Sequence, residues 1–81
     1  MNFVVIFEQG PTSVGAYVPD LPGCVAVGAT REEAHRLITE AIQMHLEGMR
    51  EDGEPLPTPV SSASVITLPS FAAYRQRPGD T

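Results

Sequence analysis

The chain has no lysine and no tryptophan, one cysteine, two histidines and no long apolar run. Each shortage excludes something. A single cysteine cannot close an internal disulfide, which suits a reducing compartment better than a disulfide-stapled secreted domain. No stretch approaches the roughly 20 apolar residues that span a bilayer, and the start Met1-Asn2-Phe3-Val4-Val5 lacks the basic region of a signal peptide. The expected location is therefore the cytoplasm. Without lysine, five arginines stand against ten carboxylates, for a formal charge of −5. A surface of that sign repels phosphate backbones, so direct nucleic acid binding is not expected, and a basic protein is the partner that fits it. His35 and His45, read on one helix, lie roughly 15 Å apart along its axis and cannot share a metal. Ser61 and Ser62 have no matching histidine or aspartate motif, which leaves a hydrolase triad without support. No cofactor and no metal is expected.

What is present is enough for one small domain. The chain has 81 residues, 42% of them hydrophobic, close to the size at which an apolar core alone supplies only a few kcal/mol. Self-association as a dimer or tetramer relieves that shortage. The expected division is a domain over residues 1–69 and a C-terminal tail over 70–81, where Phe71 and Tyr74 could anchor one helical turn on a neighbouring subunit.

Residues 19–33 carry most of the fold information. Pro22-Gly23 fits the centre of a type II turn, since proline presets the first φ and glycine accepts the positive φ that follows. The β-formers on either side, Tyr17-Val18 and Cys24-Val25-Ala26-Val27, make it a hairpin. Thr30 with Glu33 three places on is a capping box, so a helix starts near Arg31. It is expected to run to about Asp52 and to end at Gly53, with Pro55, Pro57 and Pro59 barring continuation. Its sheet-facing arc reads Ala34, Leu37, Ile38, Ala41, Ile42, Met44, His45, Gly48 and Met49. Upstream, residues 2–8 are the strongest strand, apolar on both faces, and residues 13–18 pair with it after a Gly10-Pro11 turn. Residues 64–68 (Ser-Val-Ile-Thr-Leu) read as a fourth strand, parallel to the first by a right-handed crossover. The expected fold is α+β with β-β-β-α-β connectivity: a four-stranded sheet of order 3-2-1-4 whose most apolar strand is central, with one long helix on one face. A single helix covers one face only, and the other must meet a second subunit, the tail or a partner.

Reactive chemistry is sparse. His45 falls within the apolar arc and reads as a hydrogen-bonded core histidine, His35 as exposed. Cys24 opens a buried strand without an activating base and reads as structural. Asp20, in Pro19-Asp20-Leu21-Pro22, is either a turn residue accepting backbone N–H groups or a partner contact. Glu33, Glu40 and Glu47 recur every seven residues as an acidic stripe beside Arg36 and Arg50, either a solvated face or a docking surface for basic side chains.

The run Gly15-Ala16-Tyr17-Val18-Pro19-Asp20-Leu21-Pro22-Gly23-Cys24, then Gly28-x-Thr30-x-Glu32-Glu33-Ala34, a long helix and Pro57-x-Pro59, resembles the HicB family of antitoxins. The resemblance spans residues 3 to about 69. It implies a partial ribonuclease-H-like fold and a role in a type II toxin–antitoxin pair, where the antitoxin binds a small basic HicA-like ribonuclease that cleaves mRNA and masks its active-site histidine. Ribonuclease-H-type catalysis needs several carboxylates converging on two metal ions, one of them on the central first strand. Here that strand offers Val4-Val5-Ile6, with Glu8 only at its end, so the fold reads as reused for binding and not as an enzyme. Fuller family members add a DNA-binding segment, for which the eleven residues after Ser70 are too few.

The expected function is thus an antitoxin-like binding module, with Asp20, Glu33, Glu40 and Glu47 as candidate contacts. The alternatives are a residual metal-dependent ribonuclease-H-like nuclease, testable through Glu8 or Asp20, and an orphan structural oligomer without a toxin.

Overall fold

A computed structural model describes residues 1–70. Three antiparallel strands, β1 (Ile6–Gln9), β2 (Val14–Tyr17) and β3 (Val25–Gly28), precede one helix, α1 (Arg31–Glu51). The sheet order is β1-β2-β3, two hairpins side by side. The expected places of the first three strands, within a few residues at their ends, and the 3-2-1 part of the order agree with this arrangement.

The register explains the faces. Ile6 pairs with Tyr17 and Tyr17 with Val25, while Phe7 pairs with Ala16 and Ala16 with Ala26. The second row points inward: Val14, Ala16, Val18, Leu21, Cys24, Ala34 and Ile38 form the buried core, with Phe3, Val5, Phe7, Ala41, Ile42 and Leu46 packed around it. The first row points away from the helix.

Both turns follow their local chemistry. Gly23 takes φ of +85°, and the Cys24 N–H donates to the Leu21 carbonyl at 3.0 Å, closing the turn around Pro22-Gly23. At the helix start the Thr30 hydroxyl accepts the Glu33 N–H at 3.1 Å, and the Glu33 carboxylate accepts the Ala29 N–H at 3.2 Å. The box is closed one residue further back than its usual form, which uses the cap residue's own N–H. At the other end Gly53 has φ of +72°. The Glu54 N–H reaches the Met49 carbonyl at 2.9 Å and the Gly53 N–H the Arg50 carbonyl at 3.2 Å, the paired bonds of a Schellman cap. Twenty-one helical residues reach about 31 Å, and a four-residue strand about 14 Å, so α1 outreaches the sheet it packs on.

Gly28 is where strand and helix meet most closely. A Cβ built there would lie 2.5 Å from the Ala34 nitrogen and 3.0 Å from its Cα. Only the missing side chain lets α1 descend onto β3, its principal contact, ahead of β2.

Three expectations change. First, residues 64–68 are not a strand in this chain: they join no ladder, and Val65, Ile66 and Leu68 are 93%, 78% and 62% exposed. Strand propensity needs a ladder partner before it yields structure, and the segment finds none among the described residues. The described residues form a three-stranded sheet, so the most apolar strand stands at an edge and not at the centre. Secondly, β1 starts at Ile6 although residues 3–5 are just as apolar. Continuing the β1–β2 register sets Val4 opposite Pro19, which has no N–H to donate, while the Val18 N–H is already given to Cys24. The ladder stops there for lack of donors. Thirdly, Met44 is exposed while Leu46, outside the expected arc, packs on the core, so the buried stripe of α1 is rotated toward Leu46. The expected tail contacts of Phe71 and Tyr74 lie outside the described residues.

Candidate functional site

The turn between β2 and β3 is a rigid holder for one carboxylate. Leu21 and Cys24 are buried on either side of it, and the Leu21 N–H donates to the Val18 carbonyl at 3.0 Å. Asp20, held between these anchors, reaches the chain where it returns from the helix. One carboxylate oxygen, Oδ2, accepts the Val60 N–H at 3.2 Å and the Ser61 N–H at 3.0 Å. The other, Oδ1, accepts the Ser61 hydroxyl at 2.9 Å. The Ser61 backbone N–H is the main cause of an Asp20 pKa below the ordinary value; partial burial opposes it, and the Ser61 hydroxyl and Val60 N–H add to the lowering. All three donors favour the charged form. Asp20 is thus a backbone acceptor, as one reading of the sequence expected, but for N–H groups some 40 residues away and not for its own turn.

The helix carboxylates sit elsewhere. Glu33 is engaged in the cap. Glu40 meets Arg36 at 3.4 Å in an exposed i,i+4 pair, an arrangement that contributes at most a few tenths of a kcal/mol. Glu47 lies two turns further on and is exposed. The three follow one line of α1, whereas Asp20 belongs to the sheet end. The four candidate residues therefore occupy two distinct places and do not converge on one point.

Around the helix start, the Arg31 guanidinium carbon lies 4.1 Å from the centre of the Phe7 ring, and His35 stacks parallel to Phe7 at 6.1 Å between centroids. Arg31 and His35 share a helix face at i,i+4, a spacing visible in the sequence; that Phe7 lies beneath them was not visible. His35 is exposed, as expected. His45 is half-buried but its side chain makes no hydrogen bond within the described residues, so it is not the bonded core histidine that the sequence suggested. Cys24 is buried and free, and burial pushes its thiol pKa up, away from a reactive thiolate. Among the described residues no three histidine, cysteine, aspartate or glutamate side chains gather as a metal site would need, and no helix is long and apolar enough to cross a membrane.

The sheet face turned away from α1 is apolar and open. Val25 and Val27 are each 64% exposed, and Tyr17 lies beside Val25. Together the fold describes a thin α+β platform with one face covered, one face bare, an acidic helix and an exposed arm.

Comparison with known proteins places it further. Residues 3–76 match the family model of the HicB-like antitoxin of bacterial toxin–antitoxin systems, and the chain belongs to that family. It is 44% identical over 74 residues to an uncharacterised 14.9 kDa protein of Haemophilus phage HP1, covering 91% of this chain and 56% of the phage protein. It is 42% identical over 71 residues to a UPF0150 protein of Thermoplasma acidophilum, covering 84% of this chain and 97% of that one. To Antitoxin HicB 2 of Photorhabdus laumondii it is 29% identical over 76 residues, covering 93% and 55%. The chain thus spans just over half the length of the phage protein and of the Photorhabdus antitoxin. No solved structure matches it.

Proposed function

We propose that this chain is the binding part of an antitoxin that neutralises a small basic HicA-like ribonuclease by covering its active site, without catalysis of its own. Family membership over residues 3–76 carries the reading, and the surface supports it. Glu33, Glu40 and Glu47 stand about 10 Å apart along α1, a spacing suited to lysines and arginines of a basic partner. These carboxylates steer the encounter, and the bare apolar sheet face lengthens it, since charge acts on association rate and specificity more than on affinity. Asp20 contributes by fixing the arm against the sheet end. The platform is a partial ribonuclease-H-like one, of order 3-2-1-4 once a strand lies beside β1, and it works in the cytoplasm, where an mRNA-cleaving toxin would act.

The test is recovery of the tagged chain from its own host at low salt. A short basic polypeptide in fixed stoichiometry, whose expression alone arrests growth and whose arrest this chain relieves, is the expected result. Recovery of the chain by itself overturns the proposal. Glu40→Gln with Glu47→Gln, which spares the cap, is expected to slow association with that partner by about tenfold at low salt and to leave dissociation nearly unchanged.

A further inference from the structure

Two unpartnered elements of this chain match each other. The first is β1 and the apolar residues before it. Among the described residues its only neighbour is β2, so within them its other side presents a row of unpaired N–H and C=O groups, and residues 3–5 have no ladder partner on either side. Phe3, Val4, Val5, Ile6 and Phe7 are all half-buried, because α1 lies mainly over β3 and β2. An apolar open edge of this kind is one that soluble proteins normally cover. The second element is residues 64–68. They have strand composition, no charge, no hydrogen bond within the described residues, and three large apolar side chains in water.

Their placement says which molecule joins them. Asp20 pins Val60 and Ser61 at the end of the sheet where the β1–β2 register brings residues 3–5. A segment tethered only a few residues from an open edge experiences it at an effective concentration in the millimolar range or above. Yet in the single chain residues 62–69 stay exposed and off that edge. Asp20 fixes the arm's root at Val60 and Ser61, a constraint that does not apply between the arm and the edge of another molecule.

We propose that residues 64–68 of one copy add as a fourth strand to the open edge of β1 in a second copy, and the reverse, by two-fold exchange of arms. Exchange of this kind is self-complementary and closes at two subunits. It pairs the orphan backbone of residues 3–5, covers the half-buried side of β1 with Val65, Ile66 and Leu68, and completes the 3-2-1-4 order across two chains. The proposal does not depend on the antitoxin reading and can fail or stand separately from it.

Sedimentation equilibrium of the full chain tests it. The expected mass is twice the 8.7 kDa of one chain. Ile66→Asp is expected to weaken the dimer by a factor of about ten or more while circular dichroism shows the helix unchanged, since Ile66 is 78% exposed and lies outside the described core. In a second measurement, chains carrying Val4→Cys are mixed with mass-tagged chains carrying Ile66→Cys, the buried Cys24 being left in place. A mixed disulfide between tagged and untagged chains is expected. A monomer at all concentrations overturns the proposal, as does a dimer indifferent to Ile66→Asp. A double variant that cross-links within one chain and not between chains places the arm on its own edge and overturns it equally.

Discussion

Helix α1 and the arm that follows it are both punctuated by apolar residues, but only the helix buries them. Ala34 and Ile38 vanish beneath the sheet, while Val65 and Ile66, as apolar and as strand-prone as anything in β3, lie in water. The difference is one of self-sufficiency. A helix satisfies its backbone internally and needs only a surface for its stripe, so it forms wherever such a surface is at hand. A strand must find an open edge in the right place before its side chains matter. The helix met the sheet; residues 64–68, beyond the root held by Asp20, join no ladder among the described residues.

The widest gap between the two regions is expected at matched isoleucines. Ile38→Ala opens a hole under the sheet and is expected to cost about 3 kcal/mol in urea-induced unfolding. Ile66→Ala in dilute solution, where chains are separate, is expected to change stability by no more than about 0.5 kcal/mol. Equal losses would mean that the arm is packed on its own body and would erase the contrast.

Next comes the close approach that lets the helix succeed. Gly28→Ala drives a methyl into the Ala34 backbone and is expected to cost about 2 kcal/mol, read from the shift in thermal midpoint. A neutral outcome would show that α1 can lift off β3 without loss.

The smallest effect concerns the arm's root. Because the folded Asp20 pKa is depressed, the clamp contributes fully above the ordinary aspartate value of about 3.9 and is lost as pH falls through the lower folded value. Amide exchange at Val60 and Ser61, corrected for intrinsic rate, is therefore expected to be protected at neutral pH and to lose that protection only below the ordinary aspartate range, as pH falls through the depressed folded value. Asp20→Ala is expected to abolish it at every pH while leaving exchange in α1 unaltered. Protection that survives the substitution would assign the root to something other than this carboxylate.

How far the fold could be read from the residues follows the same division. The type II turn, the capping box and the left-handed stop at Gly53 are contacts among neighbours in the chain, and each was legible at its own residues. Pro19 is legible in the same way: set in hairpin register opposite Val4, it forbids the ladder from reaching residues 3–5. The partners of Asp20 left no such trace, for nothing local to Pro19-Asp20-Leu21 points to Val60 and Ser61. Nor did the stacking of Arg31 and His35 on Phe7, which joins two elements that only the packed sheet brings together. Of the acidic candidates, the line through Glu33, Glu40 and Glu47 was visible as a seven-residue period, but not that Glu33 is engaged in the cap and Glu40 with Arg36.

The residues alone determined where this chain turns and where its helix begins and ends, because those choices are settled by φ preferences and hydrogen bonds within a few positions. Only the tertiary structure decided which strand lies at the edge, which side of the sheet stays bare and where the last apolar segment goes. Those outcomes depend on whether distant backbone donors and acceptors can reach one another, a condition of geometry that composition does not encode.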